Sequence, residues 1–237
     1  LGGSPTTNAG HTVVAIKKPE IYQRILVTNT FQLNDGVPVW TVQPVINFDD
    51  LATNGYAWFV AKGPPDLSTN YQGGAIYYRR LQWQGTNAVW AETNWIAVSD
   101  PPTTYRDYYD LDGTNVVVLP VAGAGVSAPN KDGISIDLQQ IGSRLSASVI
   151  RNGYLWTCQM IGLDGTNTVY SGDATGTNVD RAGVQWLRLG VDTQNGTLSY
   201  STHGRVYDRA ITNAFYYYFP SLMVNCAGDM LMGFSGS

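Results

Sequence analysis

Two stretches of this chain share a five-residue string that suits a tight β-hairpin. Asn152-Gly153-Tyr154-Leu155-Trp156 and Asn54-Gly55-Tyr56-Ala57-Trp58 agree at four of five positions. Asn-Gly supplies the two positive-φ residues of a type I′ turn, whose twist matches that of paired strands. Before the later copy, Leu145, Ala147 and Val149 alternate with Ser146, Ser148 and Ile150. After its Arg151-Asn152-Gly153 turn, Tyr154, Trp156, Cys158 and Met160 fall on one face of the return run. Period-two patterning on both sides of the turn predicts a hairpin over 144–162.

The similarity extends beyond the string. A shift of 108 positions lays Ile76, Tyr78, Arg80 and Leu81 on Val184, Trp186, Arg188 and Leu189, and Val98 and Asp100 on Val206 and Asp208. The Asn-Gly-Tyr-x-Trp string itself repeats at 98, so one loop in the second copy is about ten residues longer. Two units of four short strands are therefore expected, at 44–100 and 144–208. A third, incomplete one runs over 216–237, with a strand at 220–224, a turn at Ala227-Gly228 and a return from Met230 to Phe234. Residues 1–11 are rich in Gly, Ser, Pro and Thr and read as a flexible arm. Short β-prone runs at 12–16, 22–28 and 37–42 complete a single all-β domain over 12–237.

Four-stranded units with aromatic inner strands and Gly/Asn turns fit a β-propeller or partial propeller of four-stranded antiparallel blades. The period is long for a blade, and the excess lies in a connector at 101–143 whose main strand signals are at 116–119 and 134–138. The alternative is a β-sandwich of two packed antiparallel sheets.

Composition narrows the function classes. Only 14% of the residues are charged, and polarity comes from Thr, Asn, Ser, Gln and Gly, as in extracellular β proteins. A net charge of −4 lacks the basic face that nucleic acid requires. No apolar run approaches the roughly 18 residues of a membrane-spanning helix. The first residue is Leu, which fits a processed secreted chain. Cys158 and Cys226 fall in neighbouring units, where a disulfide and two buried free thiols both remain open.

The strings RLSASVIRNGYLWTCQMIG, AGVQWLRLGVD and YYYFPSLMVNCAGDMLMGFSGS together resemble large secreted bacterial β-propeller proteins. Blades of that family carry an Arg-Asn-Gly-x-Leu-Trp turn, matched here at Arg151 to Trp156. A later Pro-Ser, Gly-Asp-Met and Gly-Phe-Ser segment opens the next blade, matched at Pro220-Ser221, Gly228-Asp229-Met230 and Gly233-Phe234-Ser235. The resemblance covers roughly 40–237 and is carried mainly by the part after 128. It implies fold and secretion but no defined activity. Family members continue past the Gly-Phe-Ser segment, so the last unit here is expected to be half built and completed by self-association, through strand addition.

Candidate chemistry is sparse. His11 and His203 are far apart, and no His/Cys cluster has zinc spacing. His203 matches Trp95 under the 108 shift and reads as a packing or surface residue. Asp110-Leu111-Asp112-Gly113 carries alternate carboxylates that could meet calcium, but lacks the further oxygen ligands of a full loop. The related Leu163-Asp164-Gly165-Thr166-Asn167 favours an ordinary acidic turn, so no cofactor is expected. Ser235 sits in Gly-Phe-Ser-Gly without the acid and histidine that an esterase elbow needs downstream. A glycosidase would need two converging carboxylates, for which Glu92, Asp49, Asp50, Asp107 and Asp110 are available.

The most suggestive surface stretch is TTYRDYYDLDG, 103–113. Tyr105, Tyr108 and Tyr109 alternate there with Arg106, Asp107, Asp110 and Asp112. Aromatic faces stack on sugars while Asp and Arg bond hydroxyls, and Tyr and Arg are also enriched at protein interfaces. A structural connector with its tyrosines packed down is the third reading. The chain is thus expected to be a secreted extracellular binding or assembly module that self-associates or binds glycan. The alternative is a carbohydrate-active enzyme, a glycoside hydrolase or lyase.

Overall fold

A computed structural model describes residues 11–23, 28–33, 39–49, 55–62, 76–98, 127–128, 136–137, 145–163, 181–210 and 214–236. These residues form an all-β arrangement of antiparallel sheets, none of them closed on itself. In chain order the first elements are β1 (His11–Ile16), the five-residue helix α1 (Lys18–Tyr22) and β2 (Thr28–Leu33). Tyr22 was expected to open a strand and instead ends this helix. Pro19 explains the start, because its fixed φ and missing N–H suit a first helical turn. β1 and β2 pair as an isolated two-stranded sheet.

The first large sheet follows. It contains β3 (Trp40–Pro44), β5 (Ala57–Lys62), β6 (Ile76–Gln84) and β7 (Asn87–Trp90) in that order, with β8 (Ile96–Ala97) also pairing β6. Between β3 and β5 the two-residue β4 (Ile46–Asn47) leaves this sheet and joins the next one. β9 (Ser127–Ala128) and β10 (Ile136–Asp137) form a small pair of their own.

The second large sheet is a meander of β11 (Leu145–Arg151), β12 (Tyr154–Leu163), β13 (Arg181–Asp192) and β14 (Thr197–Val206), with β4 added parallel to β11. Its β11–β12 turn is the one expected: Asn152 has φ 54° and Gly153 φ 75°, and Arg151 faces Tyr154 across the two-residue loop. The last elements, β15 (Tyr217–Val224) and β16 (Met230–Gly236), form a hairpin.

The run from 88 to 98 is split into β7 and β8, and the two arginines of β6 hold the break. The Arg79 guanidinium donates to the Glu92 carbonyl (Nη2, 2.9 Å) and the Thr93 carbonyl (Nη2, 2.8 Å). The Arg80 backbone N–H donates to Glu92 Oε2 at 2.7 Å. A side chain thus occupies a ladder position, and residues 91–94 bend away between β7 and β8.

Packing follows from alternation. Trp58, Val60, Ile76 and Tyr78 of the first sheet bury against Leu145, Ile150, Leu155, Leu189 and Leu198 of the second. The opposite face of the first sheet, with Phe59, Ala61 and Leu81, packs on Val13 and Ala15 of β1. The opposite face of the second sheet, with Val149, Trp156 and Cys158, packs on Leu222 and Val224 of β15. Four layers therefore follow one another: the β1–β2 hairpin, the first sheet, the second sheet and the β15–β16 hairpin. Residues 155–161 of β12 are all buried, as befits a strand covered on both faces.

One close approach is testable. A β-carbon at Gly204 in β14 would stand 2.6 Å from the ring of Trp186, its cross-strand partner. Gly204→Ala is expected to lower stability by about 1–3 kcal/mol through overpacking, read as a drop in the urea midpoint.

Candidate assembly surface

Each large sheet carries an arginine laid across the rings of its Gly-Tyr-x-Trp run, brought there by strand register. In the first sheet Trp58 and Arg80 are cross-strand partners. The Arg80 guanidinium lies 4.6 Å from the Tyr56 ring centre and 5.3 Å from that of Trp58. In the second sheet Trp156 and Arg188 are partners, and the corresponding distances are 4.6 Å to Tyr154 and 5.4 Å to Trp156. Trp58 meets Tyr78 at 5.7 Å and 35°, and Trp156 meets Trp186 at 5.7 Å and 36°. A planar cation over electron-rich faces contributes roughly 0.5–2 kcal/mol, more as water is excluded.

The two stacks differ in what covers them. Arg80 is ion-paired with Glu92 at 2.6 Å, and both side chains are largely buried. Its guanidinium also lies against Gly196, in the β13–β14 turn of the second sheet, so closely that a β-carbon there would collide with it. Gly196 sits at φ +67°, so this turn needs glycine for conformation as well as space. Asp192 shapes the same turn by accepting from Asn195 Nδ2 (2.7 Å) and from the backbone N–H groups of Gln194 and Asn195. Those bonds, the Asn195 side chain foremost, hold its carboxyl below the usual range. The first stack is a closed joint.

The second stack is open. Tyr200 stands where the 108 shift would place a counterpart of Glu92, and its hydroxyl pairs with His203 Nδ1 at 2.7 Å. Among the described residues no carboxylate pairs with Arg188, whose Nε donates to Ser201 Oγ at 3.4 Å. The β15–β16 hairpin packs on Trp156, with Trp186, Met230 and Met232 around the same cluster, but Tyr154 stays exposed and Arg188 and Trp186 half-buried. On the hairpin's own outer face, Met223 and Leu231 are direct cross-strand partners with exposures of 51% and 78%. Phe219 and Phe234 are exposed nearby.

The residues singled out from sequence fare differently. Tyr105, Arg106, Asp107, Tyr108, Tyr109, Asp110 and Asp112 lie outside the described residues, as does Asp50. Glu92 is committed to Arg80. Asp49 accepts from the N–H groups of Asn152 and Gly153, both at 2.7 Å, and so caps the β11–β12 turn. Asn152 Nδ2 in turn donates to the Cys226 carbonyl at 3.0 Å, linking that turn to the β15–β16 turn. His203 is half-buried, its pKa lowered by burial and then by the charge of Arg205. Ser235 is exposed on β16. Among the described residues no three of His, Cys, Asp and Glu converge as metal ligands. Cys158 and Cys226 are both free thiols, the first buried and the second exposed. Burial pushes the Cys158 thiol up to about 12.

Sequence reasoning missed the open stack itself. The signal was present in the shift that aligns Arg80 with Arg188 and Tyr78 with Trp186. Comparison with protein-family models, with curated proteins and with solved structures finds no match to this chain.

Two outcomes follow from these contacts. Asp49→Ala hands two exposed backbone donors to water and is expected to cost about 0.5–1.5 kcal/mol, seen in denaturant midpoints, with Asp49→Asn milder. A disulfide-exchange reagent at pH 8 should titrate Cys226 alone in the native protein and both thiols after denaturation.

Proposed function

We propose that this chain is a secreted, extracellular assembly module of the partial-propeller kind, which works by joining sheet faces rather than by chemistry of its own. The observation that carries the reading is the apolar face of the last layer. Met223 and Leu231 are exposed cross-strand neighbours on it, and the Arg188–Tyr154–Trp186 stack of the second sheet is only half covered. Exposed apolar surface of this kind marks interaction sites in soluble proteins. The stacking of layers in chain order supports the propeller reading, as does the resemblance carried by Arg151 to Trp156 and by 220–235. The low charge content supports an extracellular setting. Of the carboxylates singled out from sequence for a glycosidase, the two that are described, Asp49 and Glu92, are both engaged in holding backbone.

Light scattering over a dilution series tests this reading. The expected result is a mass above the 25.8 kDa of one chain that falls on dilution. A mass of one chain at every concentration overturns it.

A further inference from the structure

The two hairpins at the ends of the stack are complementary halves of one sheet. β15–β16 packs on the second sheet through Leu222 and Val224, beside the strands β11 and β12, and leaves the stack on β13 open. β1–β2 meets the first sheet in another way. Lys17, just past β1, donates to the Gly85 carbonyl at 3.2 Å, and Asn29 of β2 donates to the Thr86 carbonyl at 3.3 Å. Gly85 and Thr86 form the β6–β7 turn. Arg80 of β6 reaches the corresponding β13–β14 turn as well, there by close packing of its guanidinium on Gly196. The β1–β2 hairpin therefore stands to the first sheet as β6 and its outer partner stand to the second. It supplies the outer pair of strands of a layer, and β15–β16 supplies the inner pair.

Resting on the assembly reading above, we propose that the partner is a second copy of this chain, joined head to tail. The β1–β2 hairpin of one copy lies along the edge of β16 of the other that no described strand pairs with, and makes one four-stranded sheet with β15–β16. Two whole sheets stand between the hairpins within a copy, so the pairing has to be made between copies. The surfaces match. Val13 and Ala15 face the hairpin's own first sheet, whereas Val14 and Ile16 point the other way and are 53% and 47% exposed. In the joint they cover Trp186, Tyr154 and Arg188. Met223 and Leu231 of the shared sheet then face the first sheet of the incoming copy. Each copy contributes two whole sheets and shares two halves, so two copies close a ring of six, within the roughly four to eight that closed propellers use. Closure by two identical joints gives a symmetric dimer with no sheet edge left at the joint.

The test uses the full chain with two exposed residues changed, Ile16→Lys at the head and Leu231→Lys at the tail. A buried lysine in either joint is expected to weaken association by about tenfold or more, while the circular dichroism spectrum stays that of the parent and the urea midpoint of each variant matches that of the parent diluted to monomer. The parent should have twice the mass of one chain, each variant should fall to one, and an equimolar mixture of the two should recover dimer. The mixture retains one intact joint, from the Ile16→Lys tail to the Leu231→Lys head. If Leu231→Lys dissociates the protein but Ile16→Lys does not, the copies meet tail to tail; if both dissociate it and mixing fails to restore dimer, head does not join tail; in either case the head-to-tail joint is wrong while the assembly reading stands. A ladder of masses above two overturns the closed ring. A monomeric parent at all concentrations overturns both readings.

Discussion

A sheet that is apolar on both faces has to be covered twice, and that requirement governs this molecule. In β12 every residue from 155 to 161 is buried, with Leu155 turned toward the first sheet and Trp156 and Cys158 toward the last hairpin. Such a strand has no solvent face on which to end the structure, so the second sheet fixes a neighbour on each side. The first sheet has the same property, with Val60 on one face and Phe59 and Ala61 on the other. At roughly 1.5–3 kcal/mol for each large apolar side chain removed from water, these faces outweigh any single polar contact in the chain. The layered order is the form that this burial takes.

Polar groups then decide how the layers are joined. Adjacent residues of β6 act in opposite directions. Arg79 stacks on Trp90 at 4.6 Å and holds the carbonyls of Glu92 and Thr93, while Arg80 takes the Glu92 carboxylate and abuts Gly196 of the next sheet. One bend is thus gripped from both faces of its sheet. Largely buried, the Arg80–Glu92 pair is short and charge-assisted, and removing one partner would strand the other. The second sheet has Tyr200 in place of the carboxylate, and its arginine is left with aromatic rings and a hydroxyl. Likeness of the rings with unlikeness of the partner is what separates a finished joint from an unfinished one.

Much of this was legible in the sequence, and the losses have physical reasons. The Asn152-Gly153 turn announced itself because its backbone conformation restricts residue type. The strands β6, β12, β13 and β15 announced themselves because their patterns repeat every second residue. The break after β7 did not, since Arg79 and Glu92 act on it only once β6 lies alongside. β4 did not, because two residues carry no period, and nothing local says that Ile46 and Asn47 pair with Val149 and Ile150 in another sheet. The open stack was missed for a related reason. Tyr154, Trp186 and Arg188 sit in period-two runs that look like core. Period alone does not say which of two apolar faces a neighbour leaves open.

The Asp49 cap has a bearing on how the chain reaches this state. β11 to β14 form a meander whose partners are close in sequence, so that sheet can assemble from local contacts. The carboxylate that holds its first turn comes from a residue 103 positions upstream of Asn152. Contacts of such separation form late and slow the search, because a long loop must close before they return any energy. During synthesis the segment around β4 leaves the ribosome well before the strand it joins exists. The backbone groups of Ile46 and Asn47 must wait unpaired through the making of about a hundred further residues before β11 can take them up.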